Sequence, residues 1–194
     1  MPKKIRLDQL LVAQGFFTSR EQARRAILAG NVSVGTRIAA KPSEPLEEQT
    51  VIAVKPTQKY VGRGALKLEP VLGHFDIELH GKTALDIGAS TGGFTDCMLQ
   101  RGAEKVYAVD VGQGQLAWKL RRDKRIVVME KTNARELTPT KMPQPFVPVD
   151  IAVIDCSFIS LRKIIPATVA LLKPSAKIVA LIKPQFEAGK KEVD

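Results

Sequence analysis

Thr83 to Phe94, TALDIGASTGGF, reads as a buried strand that breaks directly into a glycine-rich turn and then a helix. Ala84, Leu85 and Ile87 are apolar around the single carboxylate of Asp86. Gly88, Gly92 and Gly93 allow a tight turn and a close approach to a ligand, with no Cβ in the way. The spacing is not the dinucleotide fingerprint, which has a second glycine two residues after the first. Asp110 ends the next apolar run, Lys105 to Val111, 24 residues after Asp86 and near the distance at which a carboxylate reaches ribose hydroxyls. A ligand-free strand-to-helix turn has the same local pattern, but two carboxylates at the ends of neighbouring strands favour a nucleoside ligand.

From Thr83 onward five apolar runs predict strands: Thr83 to Gly88, Lys105 to Val111, Arg125 to Met129, Val149 to Asp155, and Lys177 to Lys183. Helical segments are expected between them, at Phe94 to Gln100, Gln115 to Arg121 and Ile164 to Leu172, with a further helix from about Leu66 before the first strand. In that helix Pro70 is tolerable only within the first turn. Alternating strands and helices predict an α/β domain with a parallel sheet covered on both faces, and ligands of such sheets bind at the carboxyl ends of the strands. Asp86, Asp110, Asn133, Asp155 and Lys183 all fall at or just after those ends. The D-x-G-x-x-x-G-G form resembles the S-adenosylmethionine site of Rossmann-type methyltransferases. That resemblance assigns Asp86, Gly88, Ser90, Gly92, Gly93, Phe94, Asp110 and Asn133 to the cofactor.

The first third of the chain reads differently. Leu7, Leu10 and Leu11 predict a short amphipathic helix within Lys4 to Gly15, and Ser19 with Gln22 forms a capping box for a second helix that Gly30 and Asn31 end. Alternation at Val32 and Val34 and a run at Thr50 to Val54 predict a small β-ribbon. RLDQLL, TSREQARRAI, AGNVSV and AAKPSEPL together resemble the alpha-L RNA-binding module, over residues 4 to 54. A charged helix face is most often only solvated, but with this resemblance Lys4, Arg6, Arg20, Arg24, Arg25 and Arg63 become candidates for phosphate contact. Lys55 to Gly64, KPTQKYVGRG, reads as the linker, placing an RNA-binding domain at residues 1–58 and a catalytic domain at 59–194.

The composition is consistent with a nucleic-acid partner. Thirty Lys+Arg against twenty Asp+Glu give a net charge of +10, and Met1 to Tyr60 carries ten basic residues against five acidic ones, half of that excess. Two cysteines without ligand spacing predict neither a disulfide framework nor a metal site. No apolar run is long enough to span a membrane and the N-terminus has no signal-like core, so a cytoplasmic protein without stable membrane association is expected.

The succession YVGRGALKL, ALDIGASTGGFTDCMLQRGA, VYAVDVG, IDCSFISL and LIKPQFE resembles the hemolysin A (TlyA) family of RNA methyltransferases, whose catalytic domain is of the FtsJ type. The resemblance implies methyl transfer from S-adenosylmethionine to a ribose 2'-hydroxyl of ribosomal RNA, on cytidine in known cases, without a metal. It carries the family's catalytic lysines and aspartate onto Lys67, Asp155 and Lys183, with Lys183 expected to activate the hydroxyl. The family's catalytic glutamate has no counterpart here, and the sheet is expected to be C-terminally incomplete. A non-catalytic RNA-binding protein that retains the cofactor fold is the alternative reading. A membrane-active cytolysin, the sense of the family's name, finds no support in the residues.

Overall fold

The computed structural model describes residues 4–55 and 59–188, in two compact units that part between Lys59 and Tyr60. Residues 56–58, near the start of the expected linker, lie outside the described residues. Its end does not behave as a linker: Tyr60 is buried, and the Val61 amide donates to Asp96 at 2.9 Å, so this stretch belongs to the second unit.

In the first unit β1 (Lys4–Arg6) leads into α1 (Leu7–Ala13), followed by α2 (Arg20–Leu28), β2 (Val32–Val34), β3 (Arg37–Ile38), β4 (Pro45–Glu47) and β5 (Ile52–Val54). The sequence predicts helix from Lys4, but Lys4 to Arg6 instead pair antiparallel with Pro45 to Glu47, a long-range partner that periodicity cannot reveal. The Ser19 cap forms as expected, its hydroxyl accepting from the Gln22 amide at 3.3 Å, while the Gln22 side chain serves Thr18 rather than Ser19. Strands β3, β2 and β5 form an antiparallel sheet, and Leu7, Leu10, Leu11, Ala23, Ile27 and Val32 fill the core.

The second unit contains α3 (Ala65–His74), β6 (Thr83–Ile87), α4 (Gly93–Gln100), β7 (Lys105–Val109), α5 (Trp118–Arg121), β8 (Ile126–Met129), β9 (Val149–Ile154), α6 (Ile165–Val169), β10 (Leu172–Ala180) and α7 (Pro184–Glu187). The five strands form one sheet in the order β10-β9-β6-β7-β8, every neighbouring pair parallel. The α/β fold class expected from the sequence is therefore the one observed. Each face of the sheet has its own core. Ala84, Val106 and Val153 pack with Leu68 and Leu72 of α3 and Met98 of α4, whereas Leu85, Ile87, Tyr107 and Ile154 pack with Ile164 and Leu171. The reversal of strand order falls between β6 and β9, which brings Gly88 and Asp155 side by side.

Three expectations about elements need correction. Pro70 is the sixth residue of α3, beyond the first turn, and its missing N–H removes a bond to Leu66, which is exposed where water can serve the freed carbonyl. The expected helix at Gln115 to Arg121 is confined to Trp118–Arg121. Strand β10 begins at Leu172, ahead of the expected Lys177, with an irregular register between those residues around Pro174, which cannot donate to the ladder. No helix among the described residues is long and apolar enough to cross a membrane.

Candidate active site

The glycine-rich turn after β6 is fixed by contacts that demand small residues. Gly88 has φ +85°, and a Cβ there would lie 2.8 Å from the Asp155 carbonyl oxygen. Gly92 has φ +93°, and a Cβ would overlap Leu120 and Leu116. Ser90, at φ +49°, takes a left-handed conformation unusual for a residue with a side chain. Its amide donates to Asp110 Oδ2 at 2.8 Å, and the Gly112 amide donates to Asp110 Oδ1 at 2.7 Å. Asp110 thus braces two loops with one accepted hydrogen bond on each oxygen, leaving each with capacity to accept another.

Among the described residues, two of the clefts on this rim are lined by the glycine-rich turn. The larger, of about 490 Å³, is lined by Gly88, Ser90, Asp110, Asn133, Cys156 and Phe158, with apolar walls from Ile87, Val109 and Ile164. The smaller, of about 320 Å³, is lined by Gly64, Lys67, Gly93, Phe94 and Lys183. Gly88, Ser90, Asp155 and Ser157 line both, so the clefts adjoin at the ends of β6 and β9.

The structure brings Lys67, Asp155 and Lys183 together at that junction. Lys67 Nζ donates to Asp155 Oδ2 at 3.0 Å, and Lys183 Nζ lies 2.6 Å from Asp155 Oδ1 and 2.8 Å from Ser157 Oγ. Burial pushes the Asp155 carboxyl up, but the ammonium groups of Lys183 and Lys67 outweigh it and hold the group below its ordinary value. Lys67 reaches the site because α3 begins against the start of α4: a Cβ on Gly93 would stand 3.1 Å from the Ala65 amide nitrogen.

Not every sequence-predicted residue faces the clefts. Asp86 is buried beneath the turn and lines neither; its Oδ2 accepts from Thr95 Oγ1 at 2.6 Å and its Oδ1 has no hydrogen-bond partner among the described residues. Desolvation pushes this carboxyl up to about 7, opposed by the Thr95 hydrogen bonds and reinforced by Asp155 and Asp110. Gly92 shapes the turn without lining a cleft, and Gly93 and Phe94 line the smaller one. Asn133 lines the larger cleft, but its side chain already caps the following turn through Arg135 N and Glu136. The sequence places Ser157 and Phe158 after a strand end, at the rim, without giving either a role; Ser157 lines both clefts just past Asp155 and Phe158 lines the larger one. Phe158 is left-handed at φ +64° and 91% exposed.

In the first unit, Asp8 is fully buried and joins two of the predicted RNA-binding residues. Arg6 donates to both of its oxygens at 3.0 Å and Arg20 to Oδ2 at 3.2 Å. Lys4, Arg24 and Arg25 are exposed, as is Arg63 in the second unit.

Comparison with known proteins agrees with this architecture. The family described as FtsJ-like methyltransferase matches residues 60–194, and the S4 domain matches residues 5–52. The chain is 50% identical over 192 residues to a Bacillus subtilis protein provisionally named rRNA methyltransferase YqxC, covering 98% of this chain and 68% of that protein. It is 47% identical over 195 residues to the 16S/23S rRNA (cytidine-2'-O)-methyltransferase TlyA of Mycobacterium tuberculosis, covering 100% of this chain and 72% of the relative. A solved structure from Streptococcus thermophilus, provisionally called a hemolysin, superposes with a TM-score of 0.68 at 45% identity, over 100% of this chain and 71% of that one. With its glycine-rich turn, all-parallel sheet and S4 module, the chain belongs to the FtsJ-like methyltransferases, in the group whose named members include TlyA, YqxC and hemolysin A.

Proposed function

We infer that this protein is an S-adenosylmethionine-dependent methyltransferase that modifies a ribose 2'-hydroxyl of ribosomal RNA, on cytidine as in the named TlyA relative. The observation that carries the reading is the Lys67–Asp155–Lys183 cluster, standing where a nucleoside-sized cleft meets a second, cation-lined one.

The larger cleft fits the cofactor. Asp110 offers two free lone pairs to a ribose diol, Ile87, Val109 and Ile164 offer apolar walls to the adenine, and the missing Cβ of Gly88 leaves the backbone open to close approach. Ser90 belongs to the same wall, and Asn133 stands at the adenine end through its backbone, its side chain being engaged as a cap. Asp86 acts from beneath, through Thr95, to set the start of α4. When bound, the cofactor supplies a methyl group already activated on a cationic sulfur, so the protein's own work is alignment and proton removal.

An RNA ribose entering the smaller cleft meets Lys67 and Lys183 on either side of Asp155. Lys183 rests as the ammonium paired with Asp155; after it gives a proton to solvent its amine receives the hydroxyl proton, and the 2.6 Å contact with Asp155 holds the ammonium that re-forms. Lys67, tethered to the other carboxylate oxygen, presents positive charge to the developing alkoxide. Arg6, Arg20, Arg24, Arg25 and Lys4, with Arg63 in the catalytic unit, supply phosphate contacts that give affinity more than sequence choice.

Incubation with ribosomal subunits and methyl-labelled S-adenosylmethionine, followed by digestion to nucleosides, tests the reading. Label in 2'-O-methylcytidine is expected. Label confined to a methylated base, or RNA binding with no transfer, would overturn it, the second outcome favouring a non-catalytic RNA-binding protein.

A further inference from the structure

Helix α5 carries a feature that neither cleft uses. Trp118, the sole tryptophan of the chain, is 69% exposed, with the Arg122 guanidinium 5.8 Å from the ring centroid. The segment Trp118 to Arg125, WKLRRDKR, has five basic residues against one acidic residue. Some of that charge is already matched, since Arg121 pairs with Glu130 and Arg125 with Asp123. Arg122 and Lys124 are exposed and have no carboxylate partner among the described residues. Lys119, which touches Asp96 at 3.5 Å, is 70% exposed.

A single exposed indole is ordinary by itself, but here it stands among cationic side chains, with the Arg122 guanidinium over its ring. A hydrophobic protein partner would have to desolvate Lys119, Arg122 and Lys124, whereas an unpaired nucleotide offers a base to stack and phosphates to match these charges. The buried residues of α5 and of the turn just before it reach the glycine-rich turn. Leu116 and Leu120 occupy the space a Gly92 Cβ would fill, and the Ala117 amide donates to the Thr91 carbonyl at 3.1 Å. Whatever docks on the outer face of α5 is therefore one side chain away from the cofactor turn.

We propose that Trp118, with Lys119, Arg122 and Lys124, is a docking site for an unpaired nucleotide of the RNA substrate, separate from the acceptor cleft and backed onto the glycine-rich turn. The proposal rests on the RNA-methyltransferase reading above and adds to it a second point of RNA contact on the catalytic unit.

Because Trp118 is the sole tryptophan, its emission reports on this site alone. The experiment titrates the whole chain with a fluorescently labelled single-stranded ribosomal RNA fragment. RNA anisotropy and Trp118 emission are followed together, and methyl transfer is measured in parallel. Saturable quenching of Trp118 that tracks binding is expected, together with affinity weaker by about tenfold in Trp118→Ala and restored in Trp118→Phe. The double variant Arg122→Gln, Lys124→Gln is expected to bind more weakly and with a smaller salt dependence. RNA binding and methyl transfer with unchanged Trp118 emission and unaltered affinity in Trp118→Ala would overturn the docking site while leaving the function intact. Emission that changes with protein concentration in the absence of RNA would assign the face to self-association and likewise overturn it. A parent chain that neither binds RNA nor transfers methyl would overturn both readings. Thermal melts of each variant separate lost binding from lost folding.

Discussion

Gly88 and Asp155 end neighbouring parallel strands so closely that a Cβ on the glycine would stand 2.8 Å from the aspartate carbonyl oxygen. The Asp155 amide also donates to the Ile87 carbonyl at 3.0 Å, which fastens the two strand ends together at the point where the strand order reverses. The glycine-rich turn and the lysine-bound carboxylate are thus parts of one rigid corner.

Replacing that glycine tests how much the corner matters. Gly88→Ala combines a left-handed backbone with a clash against main-chain atoms, and a loss of about 1 to 3 kcal/mol in unfolding free energy is expected. Cofactor affinity should fall with it. Urea unfolding and calorimetric titration give both quantities; an alanine variant with the parent's midpoint and affinity would contradict this account of the turn.

In the proposed function Asp110 holds the ribose end of the cofactor. Removing a charged acceptor that also braces Ser90 and Gly112 should cost about 1.5 to 3 kcal/mol, so Asp110→Ala should bind S-adenosylmethionine about one to two decades more weakly. Isothermal titration measures this directly, and unchanged affinity would move the ribose elsewhere.

Asp86 makes stability depend on pH. Burial raises its carboxyl from 3.8 to about 7, so between these values the folded chain keeps a proton that the unfolded chain has lost. The sign follows: this group's contribution favours folding at low pH and is lost as pH rises through about 7. Asp86→Asn keeps an acceptor for Thr95 and cannot ionise. The fall in Tm between pH 5 and pH 8 should therefore be smaller in the variant than in the parent, and identical pH profiles would argue against a buried ionisation.

The buried Asp8 carboxylate presents two guanidinium groups side by side in the first unit. If both face phosphates, Arg6→Gln and Arg20→Gln should each weaken RNA binding across unrelated sequences. Each should also reduce the slope of log affinity against log salt by about 1. Filter binding from low to high salt reads both effects; an unchanged slope would return these arginines to a purely structural role around Asp8.

The sheet was legible because parallel strands buried on both faces read as near-continuous apolar runs, and Lys105 to Val109 and Val149 to Ile154 are of that kind. The rim was legible as a set of positions, since Asp110, Asp155 and Lys183 each follow such a run. That these groups share one rim also followed from the alternation of strands and helices, but the contact of Gly88 with Asp155 did not, because placing β9 beside β6 is a matter of strand order rather than of local pattern. For the same reason β1 was misread, its partner lying in Pro45 to Glu47. Asp86 looked like a ligand in sequence because a carboxylate in an apolar strand suggests function, yet strand alternation turns it toward α4 and beneath the turn. Asp8 passed unnoticed, since one carboxylate on a short amphipathic helix looks like a solvated residue until the fold buries it between two arginines.

The central claim is that the two lysines on Asp155 serve the methyl transfer step rather than the binding of either substrate. Lys183→Met, assayed with labelled S-adenosylmethionine and ribosomal subunits, tests it most directly. The account predicts a fall in single-turnover methyl transfer of about 10² to 10⁴, with cofactor and RNA affinities within about threefold of the parent's. Transfer within tenfold of the parent's rate, or a loss explained wholly by weaker binding, would contradict it.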